Sequence, residues 1–190
     1  MFIAMNGIPV RSSLSGQLVA LEKMTAGELV ERYREVFGVP TRARNKAFLR
    51  KRVAWRIQEL AEGGLSSRAL AKIEELVMFA PMYEMRRPLR RALVVRRPAR
   101  VAVMLALAHK IQDAIDRGVV RDLAAVARRF SLTRARITQI MDLTLLAPDL
   151  QEQILFAEAV DGIEPMTERH LRDMMAHGFW SDQRNRKFKD

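Results

Sequence analysis

Two arginines, a glutamine and three small or hydroxylated residues crowd into Thr133-Arg134-Ala135-Arg136-Ile137-Thr138-Gln139. Their chemistry is recognition rather than bond-making. An arginine fork matches the outer edge of guanine, a glutamine amide matches adenine, and an Ala or Thr methyl can touch the methyl of thymine. At 100° per residue, a helix opening after Thr133 as N-cap and running to about Leu143 turns Ile137, Ile140, Met141 and Thr144 inward. Ala135, Arg136, Thr138, Gln139 and Asp142 then face outward, with Arg134 on the shoulder. Thr133, Arg134, Ala135, Arg136, Thr138 and Gln139 are therefore the candidate base-reading residues.

Such a row needs a second helix to hold it. The stretch from Asp122 to Arg129 predicts one, turning through Phe130-Ser131-Leu132 into the reading helix as a helix-turn-helix. Leu123, Val126, Ala127, Phe130, Leu132, Ile137 and Ile140 form the expected inner set, and Ala127 is small enough to let the backbones approach. Ser131 stands where this turn most often has glycine. Short amphipathic helix pairs also occur in all-α domains that bind nothing, so the charge of the whole chain carries the decision. Its 190 residues hold 33 Lys and Arg against 22 Asp and Glu, a formal charge of +11. Such an excess implies a polyanionic partner, double-stranded DNA before membrane.

Two further basic stretches extend the electrostatic footprint. Between Arg42 and Arg56 lie seven basic residues and no acid. A solvated helix face normally mixes signs, whereas this one repels itself unless phosphate offsets it. Arg42, Arg44, Lys46, Arg50, Lys51 and Arg52 are its candidate phosphate contacts. Between Met82 and Arg100 stand Arg86, Arg87, Arg90, Arg91, Arg96, Arg97 and Arg100 against the single acid Glu84. Prolines at 81, 88 and 98 exclude a continuous helix, so this reads as an extended basic linker, its arginines lying along DNA.

The remaining elements predict an all-α chain. Residues 1–13 read as a loose tail. Helices are expected over Leu14–Lys23, from the Thr25-x-x-Glu28 capping box to Gly38, over about Asn45–Glu62, and from Ser66 to about Phe79. Further helices follow from Ala99 to Gly118, from Pro148, and from Thr167 through Met175, with Trp180 as a last core anchor and 181–190 fraying. The expected division is an N-terminal module over 14–80, the linker over 81–98, and a helix-turn-helix domain over 99–180.

Two segments resemble known families. QLVALEKMTAGELVERYREVFG followed by RNKAFLRKRVAWRIQELAEGGLS, within residues 17–76, resembles an uncharacterised domain family of phage-related and bacterial mobile-element proteins. Residues 105–175 resemble the helix-turn-helix domain of ParB and KorB-type partition proteins, through LAHKIQDAIDRG, LAAVARRFSLTRARITQIM, LTLLAPDLQEQIL and MTERHLRDM. By that resemblance Arg134 corresponds to the arginine expected to enter the major groove. The Gly-Glu-Arg-Arg nucleotide motif of ParB has no counterpart here, so a nucleotide-driven clamp is not implied.

Nothing in the sequence predicts catalysis or a cofactor. His109, His170 and His177 are scattered without acids at metal-ligand spacing. Gly63-Gly64 lacks the lysine of a phosphate-cradling loop. Tyr33 and Tyr83 precede every histidine, unlike a tyrosine recombinase, and no strand alternation supports a serine recombinase domain. Cysteine is absent, which excludes disulfides, and the longest apolar run, Val101 to Ala108, is far short of the ~20 residues of a membrane span. The expectation is a cytoplasmic, nucleoid-associated accessory factor or regulator of a phage or mobile element, dimeric if one helix reads each half-site. The alternative is an adaptor that docks a recombinase or another mobile-element protein with only generic DNA affinity.

Overall fold

The computed structural model describes residues 13–78, 96–175 and 178–185. Among these residues are ten α-helices, a 3-10 turn and one two-stranded sheet, an all-α-dominant fold. The chain divides into two compact units, Met1–Gly63 and Gly64–Asp190.

In the first unit, α1 (Leu14–Lys23) and α2 (Ala26–Phe37) both pack on α3 (Lys46–Glu62). Each start is fixed by its own side chain. The Gly16 N–H donates to Ser13 Oγ, the Phe48 N–H donates to Asn45 Oδ1, and Thr25 with Glu28 closes a full capping box. The Thr25 hydrogen bonds hold the Glu28 carboxyl below its usual range. Gly38 ends α2 in the left-handed region at φ 72°, which costs a residue without Cβ little. Leu21, Leu29, Leu49 and Val53 are buried at the centre, and Tyr33 stacks on Phe37 with ring centroids 4.2 Å apart.

The second unit begins earlier than the sequence suggests. Its first helix, α4 (Ser67–Val77), packs on α5 (Arg100–Asp116) and α8 (Pro148–Leu155), so the unit boundary lies at Gly63 rather than within 81–98. The apolar stripe of α4 was legible, but a stripe does not name the surface that covers it. Here Ala69, Ile73 and Leu76 are buried. Polar contacts add to this: the Ser66 N–H donates to Glu152 at 2.9 Å, and Arg68 lies over the Phe156 ring at 4.2 Å. Hydrogen bonding by Ser66 keeps the Glu152 carboxyl below its usual range.

Around α5 pack α7 (Arg134–Asp142), which also holds α6 (Leu123–Arg129), and the 3-10 turn Leu143–Leu145. Two buried glutamines satisfy the backbone there. Gln151 donates to the Thr144 and Leu146 carbonyls, while Gln183 accepts from the Ala147 N–H and donates to the Leu145 carbonyl. That second glutamine belongs to α10 (Trp180–Asn185), which follows α9 (Glu168–Met175). Residues 181–185 are therefore helical and not frayed, because buried Trp180 and Gln183 tie them to the core.

Part of the expected linker is also ordered. β1 (Arg96–Pro98) pairs antiparallel with β2 (Glu158–Val160), Arg97 opposite Ala159. Three residues are too few to show alternation, and Pro98 suits a short edge strand. Residues 81–95 of that linker, and 1–12 and 186–190 of the expected tails, lie outside the described residues.

Candidate nucleic-acid interface

The segment from α6 to α7 has the expected pair of helices and a turn closed by backbone hydrogen bonds. Asp122 caps α6 by accepting from the Ala125 N–H at 2.8 Å, which lowers its carboxyl pKa. At the far end the Ser131 N–H donates to the Arg128 carbonyl and the Leu132 N–H to the Ala127 carbonyl, a Schellman arrangement. It places Ser131 at φ 53°, where a glycine would be unstrained. Thr133 then caps α7, its hydroxyl oxygen accepting from the Arg136 N–H at 3.1 Å.

Burial along α7 follows the helical period. Ile137, Ile140, Met141 and Thr144 are buried, while Arg134, Ala135, Thr138 and Gln139 are exposed. The Thr138 hydroxyl donates back to the Arg134 carbonyl at 3.0 Å, so its methyl is the group left for contact. Two expected inner residues differ: Phe130 is 41% and Leu132 37% exposed, because the Schellman turn carries both side chains out of the helix–helix seam.

Arg136 is the second departure. Its guanidinium forks onto both carboxylate oxygens of Glu168 at the start of α9, with its Nη2 2.9 Å from Oε1. It also lies 3.6 Å from the Met104 sulfur and 3.5 Å from Gln139. That hydrogen bond raises the Arg136 pKa and, against partial burial, holds the Glu168 carboxyl below the usual range, helped by the charges of Arg136, Arg100 and Arg172. Beside the pair opens a cleft of about 160 Å³ lined by Met104, Gln139, Asp142, Glu168 and Arg172 among others.

The phosphate candidates divide by surroundings. In the first unit Arg42, Arg44 and Lys46 are exposed, and Arg50 and Lys51 half-buried. Arg52 is not at the surface: it is 8% exposed, 5.2 Å from the Phe37 centroid and 5.3 Å from that of Trp55. In the second unit Arg97 pairs with Glu164 at 2.6 Å and Arg96 with Glu158 at 3.5 Å. The same Glu164 accepts the Arg100 N–H, capping α5 from a distance while the Arg100 side chain stays exposed. Arg86, Arg87, Arg90 and Arg91 lie outside the described residues.

One family model, described as a protein of unknown function (DUF2924), matches residues 15–102. No curated protein and no solved structure matches the chain. The match runs from the start of α1 through α4 to the opening of α5, includes the segment over residues 17–76 that resembles an uncharacterised family, and stops short of α6 and α7.

Sequence reasoning missed Arg128 and Arg129, exposed in the last turn of α6, and Arg172, exposed beside Gln139. The first two were legible as a basic helix end. Arg172 was not, since only the fold brings α9 to the face of α7. Among the described residues no helix is long and apolar enough to cross a membrane, and no three His, Asp or Glu converge as metal ligands.

Proposed function

We propose that this protein binds double-stranded DNA sequence-specifically without catalysing a reaction, α7 acting as the reading helix. The observation that carries the reading is the exposed row Arg134, Ala135, Thr138 and Gln139 on a helix whose other side is buried, opened by a threonine cap and joined to α6 by a tight turn. These groups match base edges and methyls, and short helices of this kind enter a major groove. Phosphate contacts come from Arg42, Arg44, Lys46, Arg50 and Lys51 in the first unit and from Arg100 in the second. The formal charge of +11 supports this, since neutralised phosphates supply most of the affinity of such proteins.

The likeness of residues 105–175 to ParB and KorB-type domains supports the same reading, and the phage-related likeness of residues 17–76 favours an accessory or regulatory role on a mobile element, close to the nucleoid. The test is selection of bound duplexes from a random pool, followed by salt titration of the winner against its scrambled form. A preferred site whose affinity falls steeply with salt is expected. Absence of any preferred site overturns α7 as a reader, and affinity insensitive to salt overturns the phosphate contacts.

A further inference from the structure

Of the two guanidiniums on α7, one is already committed to protein. The exposed Arg134 guanidinium makes no hydrogen bond or ion pair among the described residues, whereas that of Arg136 forks onto Glu168, 32 residues further on. A bidentate guanidinium–carboxylate pair fixes direction as well as distance, and here both side chains are about two-thirds buried, at 31% and 29% exposure. Glu168 is the first residue of α9, so the pair ties the start of that helix to the first turn of α7.

From this we infer that Arg136 is a positioning residue and not a base reader: its fork onto Glu168 holds α7 and α9 in register and presents Arg134, Ala135, Thr138 and Gln139 to the DNA. The inference rests on α7 being the reading helix. It differs from that reading in placing part of the site preference on Glu168, a carboxylate that DNA itself would repel. The 3.5 Å approach of Arg136 to Gln139 supplies a direct route, because the same fork orients a reading amide.

The experiment is a cycle of Arg136→Ala, Glu168→Gln and the double variant, with Arg136→Lys beside it, all in the full chain. Each is scored by the ratio of affinities for the selected duplex and its scrambled form, and by thermal melting without DNA. Expected is a roughly tenfold loss of the ratio in Arg136→Ala, a comparable loss in Glu168→Gln, and no further loss in the double variant, as for two groups acting as one. Lysine keeps the charge without the fork, so Arg136→Lys should behave like the alanine variant. A full ratio in Glu168→Gln with a loss in Arg136→Ala makes Arg136 a direct reader and overturns the inference. Full ratios in both overturn it as well.

Where the wild-type chain shows no site preference, the DNA reading itself has failed, and melting then judges the pair alone. Coupled single losses of a few degrees keep α9 tied to α7 through these two residues. Additive or null shifts overturn that tie.

Discussion

The opening half of α3 and the outward face of α7 both carry cations, yet the fold treats them differently. On α3 the guanidinium nearest the hydrophobic interior, Arg52, lies against Phe37 and Trp55, and Arg56 turns to Glu59 at 2.5 Å. Its neighbours Arg42, Arg44 and Lys46 remain in solvent without an acid among them. On α7 there are only two cations, and one is held by a carboxylate from another helix. A charge run therefore mixes structural and solvent-facing members that composition cannot separate. Position on the helix and the identity of the partner separate them.

The largest effect that bears on this contrast is expected at Arg52. Replacing it with Ala removes a buried aliphatic stem and two ring contacts, which should destabilise the first unit by about 2–3 kcal/mol. Arg52→Met, which keeps most of the packing, should lose less. Arg50→Ala and Lys51→Ala should melt within about 0.5 kcal/mol of wild type while each lowers the salt slope of DNA binding by ~0.9. Denaturant melts and salt titrations decide it. An Arg52→Ala chain with unchanged stability would remove the distinction drawn within α3.

On the α7 side, Arg134→Ala should cost ~1–3 kcal/mol at the selected duplex and little at its scrambled form. Equal losses on both would make Arg134 a phosphate contact and erase its difference from the cations of α3. Competition binding with the two duplexes measures this.

Much of this arrangement was legible in the chain because its causes are local. Ser13, Thr25, Asn45, Ser66, Asp122 and Thr133 each announce a helix start, and each accepts a backbone N–H at the position the sequence implies. The period of α7 likewise assigned its buried and exposed sides. What stayed hidden depends on chain segments far apart. Nothing near Leu76 says that α4 packs on α5 and α8, and nothing near Arg136 points to Glu168. The strand over Arg96–Pro98 exists because Glu158–Val160 lies beside it, although Asp161-Gly162, both at positive φ, is a turn signal that could have exposed the second strand.

Acid should sharpen the comparison by acting on α7 more than on α3. The Glu168 carboxyl is held below the ordinary glutamate value of about 4.5 by Arg136, so the stability it contributes is present above that value and is lost as pH falls through the lowered one. The melting temperature of wild type should therefore drop further between about pH 5 and about pH 3, a span that runs from just above the ordinary glutamate range to well below it, than that of Glu168→Gln, which has no such proton to take up. Parallel pH profiles for the two proteins would show that the pair contributes nothing to the fold.

The smallest effect concerns the turn that sets α7 against α6. Ser131 sits at φ 53°, where a Cβ approaches the following carbonyl and costs roughly 1 kcal/mol relative to glycine, and both hydrogen bonds of the turn depend on that conformation. Glycine relieves the strain but adds freedom to the unfolded chain, which recovers part of the difference. Ser131→Gly should thus stabilise the second unit by about 0.5 kcal/mol, with site preference unchanged because no residue of the exposed row moves. No substitution on α3 is expected to gain in this way, since its start is capped by Asn45 without a positive φ. A denaturant melt in which Ser131→Gly is less stable than wild type would mean that the serine side chain supports the turn, and that the α6–α7 angle is set by more than its backbone.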